Sequence, residues 1–200
     1  MRFYNHFLLS ESNNSTALIS IDMQPLYAKY IENAMNIEEY IDFLNNFKGP
    51  IIIFYNGPDI GGDDAYTIKE WYLEQGLDED VIDKIIWKEK VYAFFRNWMD
   101  NGMERNYLIK AIRYMVMNRI NDSREIDRNT WLNIFDGNEE YADMASTEDS
   151  INLPDISIGE LKKYSGCYLC GGGKDECLSE FRFLLEAFNI RYTLLKDFVY

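Results

Sequence analysis

The fold of this chain is decided by the stretch Cys170-Gly171-Gly172-Gly173-Lys174-Asp175-Glu176-Cys177. The apolar run Gly166–Cys170 predicts a buried strand, and apolar residues recur at helical spacing after Cys177. The stretch is therefore a glycine turn between a strand and a helix, with Cys177 in the first turn of the helix. The unpaired N–H groups and the dipole at a helix start favour a thiolate. Cys177 is accordingly the first candidate for a nucleophile.

The rest of the chain alternates in the same way between short apolar runs and helical patterns. The runs that predict strands are Ala17–Ile21, Ile51–Tyr55, the weaker Ile85–Trp87, and Arg191–Leu195 or slightly beyond. The patterns that predict helices begin at Pro25 and cover Ile37–Phe47, Thr67–Gln75 and Glu104–Arg119. This alternation predicts an α/β protein with a mainly parallel sheet.

The segment between the third and fourth predicted strands interrupts this alternation. Residues 121–158 are acidic and polar with few periodic segments, and we predict an irregular excursion with a short helix at Asn129–Phe135. We therefore expect residues 1–200 to form a single domain with a long insertion at about residues 100–160.

The composition excludes several classes of protein. The chain has 200 residues and a formal net charge of −14, which argues against a nucleic-acid partner because phosphate contacts need a basic face. No apolar run approaches the roughly 18 residues that a membrane span needs, and residues 1–16 do not resemble a signal peptide. Three cysteines, an odd and low number, fit a reducing compartment. The composition predicts a cytoplasmic protein.

Three polar or reactive side chains come just after predicted strands. Asp22 follows the first strand, Lys88 follows the third, and Cys177 follows the glycine turn after the fourth. Ligands of open α/β sheets bind beyond the carboxyl ends of the strands. The three side chains are therefore predicted to converge on one cleft that takes a small-molecule substrate.

The motifs around these three residues resemble those of the isochorismatase-like cysteine hydrolases. Ile19-Ser20-Ile21-Asp22-Met23-Gln24 resembles the family's hydrophobic-Asp-x-Gln start. Lys88-Glu89-Lys90-Val91-Tyr92-Ala93-Phe94-Phe95 resembles its segment of Lys, four residues and Ala-Phe, and the glycine stretch resembles its Asp-x-Cys elbow. The resemblance covers about residues 17–98 and 164–198. It implies a Rossmann-like three-layer α/β/α fold and commonly a homo-oligomer.

The resemblance also implies the roles of these residues in hydrolysis of a small amide, carbamoyl or related substrate. Cys177 would attack the substrate carbon, Asp22 would act as the base and Lys88 would stabilise charge. Backbone N–H groups of Gly173 and Cys177 would form an oxyanion hole, often beside a cis peptide bond in this family. One such donor contributes about 3–4 kcal/mol to catalysis.

The same motifs contain the candidate substrate-binding residues, Gln24, Tyr92 and Phe94. No cofactor and no metal is expected. Relatives that hydrolyse nicotinamide hold a metal with Asp and His, whereas the one histidine here is His6, far upstream. Cys167 and Cys170 have the spacing of a metal or redox pair, but residues three apart in a strand point to opposite faces. The glycines do not match a phosphate-binding loop either, because Asp175 stands where Ser or Thr should hold magnesium.

Each catalytic assignment has a structural alternative. Asp22 is also suited to cap the helix that begins at Pro25, Lys88 to be a solvated charge with Lys90 as its rival, and Cys177 to be a small buried residue. Glu176, beside Cys177, opposes thiolate formation. The alternative function is a non-catalytic protein of the same fold that binds a small ligand or a protein partner through residues 121–158.

Overall fold

A computed structural model describes residues 16–90, 96–147 and 158–200. Five parallel strands form one sheet in the order β3-β2-β1-β4-β5. The strands are β1 (Ala17–Ile21), β2 (Ile51–Asn56), β3 (Ile86–Lys90), β4 (Cys167–Gly171) and β5 (Tyr192–Val199). The prediction of an α/β protein with a parallel sheet is confirmed. The chain builds outward from β1 to β3 and then returns to place β4 on the other side of β1, so the strand order reverses between β1 and β4.

Helices cover both faces of this sheet, which gives the three layers of a Rossmann-like fold. In the described ranges they are α1 (Ala28–Ala34), α2 (Ile37–Asn46), α3 (Ala65–Glu74), α4 (Glu79–Ile82), α5 (Arg96–Asp100), α6 (Arg105–Asn118), α7 (Arg128–Ile134), α8 (Glu139–Ser146), α9 (Ile158–Leu161) and α10 (Cys177–Ala187). A short 3-10 turn, Pro25–Tyr27, precedes α1. None of the helices in the described ranges is long and apolar enough to cross a membrane.

Side-chain caps begin several of these helices where the sequence supplies them. Asn36 accepts hydrogen bonds from the N–H groups of Glu38 and Glu39 at the start of α2, and Asp64 accepts one from Thr67 at the start of α3. Such caps satisfy N–H groups that have no partner within the helix. They explain why short helices begin at defined residues here.

The two faces of the sheet have separate apolar cores. Strand residues Ile19, Ile21 and Phe54 pack with α5 to α8 and α10 on one face, which we call the α10 face. Leu18, Ile53 and Cys170 pack with α1 to α4 on the other face, which we call the α2 face. Alternate residues of each buried strand thus enter opposite cores, as the pleat of a strand requires.

The prediction that residues 121–158 form an irregular excursion is wrong for the part that the structure describes. This part contains α7 and α8, and the expected helix at Asn129–Phe135 corresponds to α7, Arg128–Ile134. Trp131 and Phe135 are fully buried in the core of the α10 face. Large aromatic side chains anchor this segment to the sheet although most of its other residues are polar.

Two strand boundaries also differ from the predictions. The third strand is not Ile85–Trp87 but β3, Ile86–Lys90, so Lys88 lies inside the strand and not past its end. β3 lies at the edge of the sheet, where charged residues are tolerated, and its pairing with β2 extends the strand as far as Lys90. The last strand, predicted for Arg191–Leu195 or slightly beyond, covers Tyr192–Val199 and is thus longer than its apolar core.

Candidate active site

Asp22 follows β1 at the point where the strand order reverses. The residue is only 2% exposed, and its φ of +56° lies in the left-handed region that few residues other than glycine adopt. Its N–H donates to the carbonyl of Phe54 on β2 at 2.8 Å. The N-cap position of the turn at Pro25 is held by Gln24 and that of α1 by Tyr27. The alternative assignment of Asp22 as a helix cap is therefore wrong.

Glycines bring the end of β4 against the end of β1. Gly171 has a φ of +103°, and a Cβ atom there would lie 2.0 Å from the carbonyl oxygen of Ile21. The N–H of Gly172 donates to that same oxygen at 2.8 Å. Only glycine permits so close an approach of the two backbones. The turn after β4 is thus fixed directly beside the residue that precedes Asp22.

Cys177 is the first residue of α10, as predicted. Its side chain is half-buried against the core of the α10 face, so the alternative of a fully buried cysteine does not hold. Glu176, whose charge opposes a thiolate, is exposed, and exposure to water weakens its effect. Of the two predicted oxyanion donors, Gly173 is half-exposed with a φ of +60°, and within the described chain its N–H donates to no protein acceptor.

Tyr200 joins the ends of β1 and β4 and was not predicted from the sequence. Its hydroxyl donates to the carbonyl of Asp22 at 2.7 Å, and its ring lies on Gly172. The pKa of this phenol is raised well above its usual value, first by burial and then by the electrostatic effects of four groups, Asp22, Tyr27, Cys177 and Tyr72. The charges of Asp22 and Cys177 therefore both affect the pKa of this phenol.

Gln24, a predicted substrate-binding residue, is fully buried and bonded to the protein. Its side-chain N–H₂ donates to the carbonyl of Asn56 at 3.1 Å and to Asp63 at 2.9 Å, and its oxygen accepts from the Asn56 N–H at 2.7 Å. These bonds fasten the segment after β1 to the end of β2 and to the following loop. The geometry thus gives Gln24 a structural role, and its contact with a substrate stays a prediction.

Lys88 lies two strands away from Asp22. It is paired with Phe54, which in turn is paired with Ile21, so Lys88 is level with the residue before Asp22. Residues paired across parallel strands share a face of the sheet, and Phe54 belongs to the α10 face, as Cys177 does. The half-buried Lys88 side chain is therefore on the same face of the sheet as Cys177. Tyr92 and Phe94 lie outside the described residues.

The other two cysteines differ from Cys177 in burial. Cys167 belongs to the core of the α10 face and Cys170 to that of the α2 face, which confirms that they point to opposite sides of the sheet. Burial raises the pKa of each thiol to about 12. Both are therefore protonated at neutral pH, and Cys177 is the best-placed nucleophile of the three.

Glu180, one turn after Cys177 on α10, is a second residue that sequence reasoning missed. It is only 1% exposed, although charged residues are rarely buried to this degree. Residues three apart on a helix are neighbours, so a buried carboxylate accompanies the candidate nucleophile. The signal was present in the sequence, because Glu180 interrupts the apolar face of the helix.

In the part of the chain that the structure describes, neither a candidate metal site nor a groove elsewhere on the surface extends this site. Within the described ranges there is no group of three or more His, Cys, Asp or Glu side chains that could hold a metal. The same ranges contain no cis peptide bond, so the cis bond that the resemblance implied is not found there. One groove lies at the opposite end of the sheet, beside Thr16 and Arg191, and another lies between Lys110 and Asn133.

The chain matches no protein-family model, no curated protein and no solved structure. The resemblance to isochorismatase-like cysteine hydrolases therefore stays a prediction from three short motifs. Functional inference rests on the geometry of the residues themselves.

Proposed function

We propose that this protein is a cysteine hydrolase that cleaves a small amide, carbamoyl or related substrate. The observation that carries the proposal is the position of Asp22 and Cys177 on the two sides of the β1/β4 strand-order reversal, around the phenol of Tyr200. This reversal is where open α/β sheets bind their ligands. A half-buried thiol at a helix start and a buried carboxylate just after the neighbouring strand are the groups that covalent acyl transfer requires.

The reaction begins with proton transfer from the Cys177 thiol to the Asp22 carboxylate. The sulfur then bonds to the carbonyl carbon, and the negative oxygen is stabilised by backbone N–H groups at Gly173 and Cys177. The C–N bond breaks, and the leaving amine takes the proton from Asp22. Water next attacks the thioester and gives a proton to Asp22, which returns it to the sulfur as the acid leaves. Lys88, on the same face of the sheet, stabilises negative charge in these steps.

The proposal is tested with p-nitrophenyl acetate, a small activated ester, and with p-nitroacetanilide, the matching amide. Wild-type protein should release p-nitrophenol from the ester and p-nitroaniline from the amide over many turnovers, and form an acetyl adduct on Cys177 that mass spectrometry detects. Cys177→Ala should abolish both the turnover and the adduct. Asp22→Asn should slow turnover by about 10²–10⁴-fold, as expected for loss of a general base. Cys167→Ala is the matched control, because it removes a buried thiol from the same face of the sheet. Wild-type turnover by Cys177→Ala would contradict the proposal.

A non-catalytic binding protein is the second candidate function. The observation that favours it is that Gln24 and Tyr200, which border the strand-order reversal, already bond to the chain itself. In that case Cys177 would react with iodoacetamide no faster than a free cysteine of similar exposure, and neither p-nitrophenyl substrate would be turned over. Rapid alkylation of Cys177 together with turnover favours the hydrolase.

A further inference from the structure

Tyr200 makes contacts with both segments that carry the proposed catalytic groups. Its hydroxyl donates to the carbonyl of Asp22 at 2.7 Å, after β1. Its own N–H donates to the carbonyl of Gly171 at 3.4 Å, and its carbonyl accepts from Lys174 at 3.2 Å, in the turn before Cys177. A single residue therefore spans the gap between the base and the turn that presents the nucleophile.

The ring of Tyr200 is held in place on two sides. A Cβ atom on Gly172 would lie 1.9 Å from the ring carbon Cζ, so the absence of a side chain at Gly172 makes room for the ring. On the other side the ring of Tyr27 lies 6.1 Å away between centroids. Tyr27 is fixed in turn, because its hydroxyl accepts a hydrogen bond of 2.6 Å from Asn56 at the end of β2. The phenol of Tyr200 thus has a defined position relative to three strand ends.

Asp22 needs such support because its backbone is in the left-handed region, with a φ of +56°. Residues with a Cβ atom persist in this conformation only where their surroundings hold them. The N–H of Asp22 is fixed by Phe54 and its carbonyl by Tyr200. The hydrogen bond from Tyr200 therefore restrains the backbone of Asp22, and with it the position of the Asp22 carboxylate.

From this geometry we infer that Tyr200 is a positioning residue, which holds the Asp22 carboxylate at its working distance from Cys177. The inference rests on the proposed function and adds a residue to it. In this role Tyr200 acts through the backbone of Asp22 and through packing, and not on the reacting atoms. Its hydroxyl acts through the Asp22 carbonyl, and its ring acts through the packing on Gly172.

The experiment compares Tyr200→Phe, which keeps the ring and removes the hydroxyl, with the wild type. The matched control is Tyr141→Phe, which removes another phenol that donates to a backbone carbonyl, that of Gly102 at 3.3 Å, in the α5–α8 region. Turnover of p-nitrophenyl acetate and the pH dependence of Cys177 alkylation by iodoacetamide are measured for all three proteins. Circular dichroism sets a temperature at which each protein is folded.

We expect Tyr200→Phe to lower kcat by about 10–100-fold with little change in KM, because misplacing a catalytic group by about 1 Å has effects of this size. The midpoint of Cys177 alkylation should also move to lower pH, since a negative carboxylate that is held less closely opposes the thiolate less. The other charges around Cys177 are Lys174, Asp175 and Glu176 in the turn, Glu180 on α10 and Lys88 on β3, and they are the same in both proteins and cancel in the comparison. Tyr141→Phe should match the wild type in both measurements.

The outcomes separate the inference from the proposed function. Wild-type protein without turnover would contradict the proposed function, and the alkylation profile would still test whether Tyr200 couples Asp22 to Cys177. Turnover and an alkylation midpoint unchanged in Tyr200→Phe would overturn the inference while leaving the hydrolase intact. Equal losses in Tyr200→Phe and Tyr141→Phe, or a Tyr200→Phe protein that does not fold at any temperature, would overturn it too, because the hydroxyl would then be a general structural element.

Discussion

The hydroxyl of Tyr200 donates a hydrogen bond of 2.7 Å to the backbone carbonyl of Asp22, a residue 178 positions earlier in the chain. The bond crosses from the last strand of the sheet to the first, over the end of β4 that lies between them. Tyr200 packs against the core of the α2 face, whereas Cys177 packs against the core of the α10 face. The bond therefore covers the strand-order reversal on the side of the α2 face. Changes at the Tyr200 ring should therefore affect both Asp22 and Cys177.

Gly172→Ala should displace the Tyr200 ring. The added methyl group would lie 1.9 Å from the ring carbon Cζ, so the ring has to move, and we expect the free energy of unfolding to fall by about 2–3 kcal/mol, as for other overpacked sites. Urea denaturation measures the loss. In a Tyr200→Ala background the same glycine substitution should cost less than half as much, since the clashing ring is gone.

The control for this cycle is Gly76→Ala. Gly76 has a φ of +96°, and a methyl group added there would have no neighbouring atom within 4 Å, so alanine causes backbone strain without a clash. Its cost should be the same in the wild-type and Tyr200→Ala backgrounds. An equal cost for Gly172→Ala in both backgrounds would show that the ring is not what makes glycine necessary.

Gln24→Ala should destabilise the connection between β1 and β2. The substitution leaves the N–H of half-buried Asn56 without its 2.7 Å acceptor and removes a donor from Asp63, and we expect a loss of about 1–3 kcal/mol in the free energy of unfolding. Gln24→Glu should cost more at neutral pH, because it places a carboxylate against that of Asp63. The difference between the two variants should shrink at acidic pH, where carboxylates are neutral.

Gln75→Glu is the control for the charge change. Gln75 is half-buried at the end of α3, away from the connection between β1 and β2, and the same substitution there should have little effect on urea denaturation. A Gln24→Glu protein as stable as Gln75→Glu would mean that the Gln24 amide does not need its donor group.

The strands of this sheet could be predicted where apolar residues form continuous runs. The runs in β1, β2 and β4 are flanked by strands on both sides, so their sequences are apolar on both faces. The third strand was misplaced because β3 lies at the sheet edge and carries Lys88, Glu89 and Lys90, and only its pairing with β2 marks it as a strand. Pairing between strands that are distant in the sequence leaves no pattern in the local sequence.

The helix α7 was predicted only as a short helix within an irregular segment, and α8 was missed, for a different reason. They have 7 and 8 residues, which is about two turns each, and so few turns give too weak a period among polar residues. In the candidate site, Asp22 could be predicted because it directly follows β1, and Cys177 because it begins the helix after the glycine turn. Tyr200 could not, because its partner is 178 positions away and the turn between β4 and α10 brings them together only in the folded chain.

The protein should lose stability above about pH 9. Burial raises the pKa of Cys167 and of Cys170 to about 12, and it raises those of Tyr40 and Tyr72 well above their usual value. Below the unfolded pKa, which is near 9 for the thiols and near 10 for the phenols, each group is protonated in both states and its contribution is fully present. At higher pH the unfolded chain releases protons that the folded chain retains, and stability falls until the folded pKa is reached. Each group contributes about 1.4 kcal/mol per pH unit in this window.

Urea denaturation at pH 7, 9 and 10.5 measures this loss. Cys167→Ala should have a shallower decline above pH 9 than the wild type, because it removes one of the retained protons. Cys177→Ala is the matched control, since its thiol is half-buried and not enclosed by the core. A decline of the same slope in wild type and Cys167→Ala would contradict the assigned burial effect.

Trp131→Ala should show that α7 and α8 belong to the cooperative core of the protein. Trp131 is fully buried, stacks on Phe135 at 5.2 Å and meets Trp98 edge-on at 5.7 Å. Removing a side chain this large should lower the free energy of unfolding by about 3–5 kcal/mol, measured by urea denaturation. The control Met117→Ala, on the neighbouring helix α6 and 78% exposed, should change it by less than about 0.5 kcal/mol. If the segment were an independent excursion, Trp131→Ala would instead leave the main unfolding transition at its wild-type midpoint, because the sheet would unfold without it.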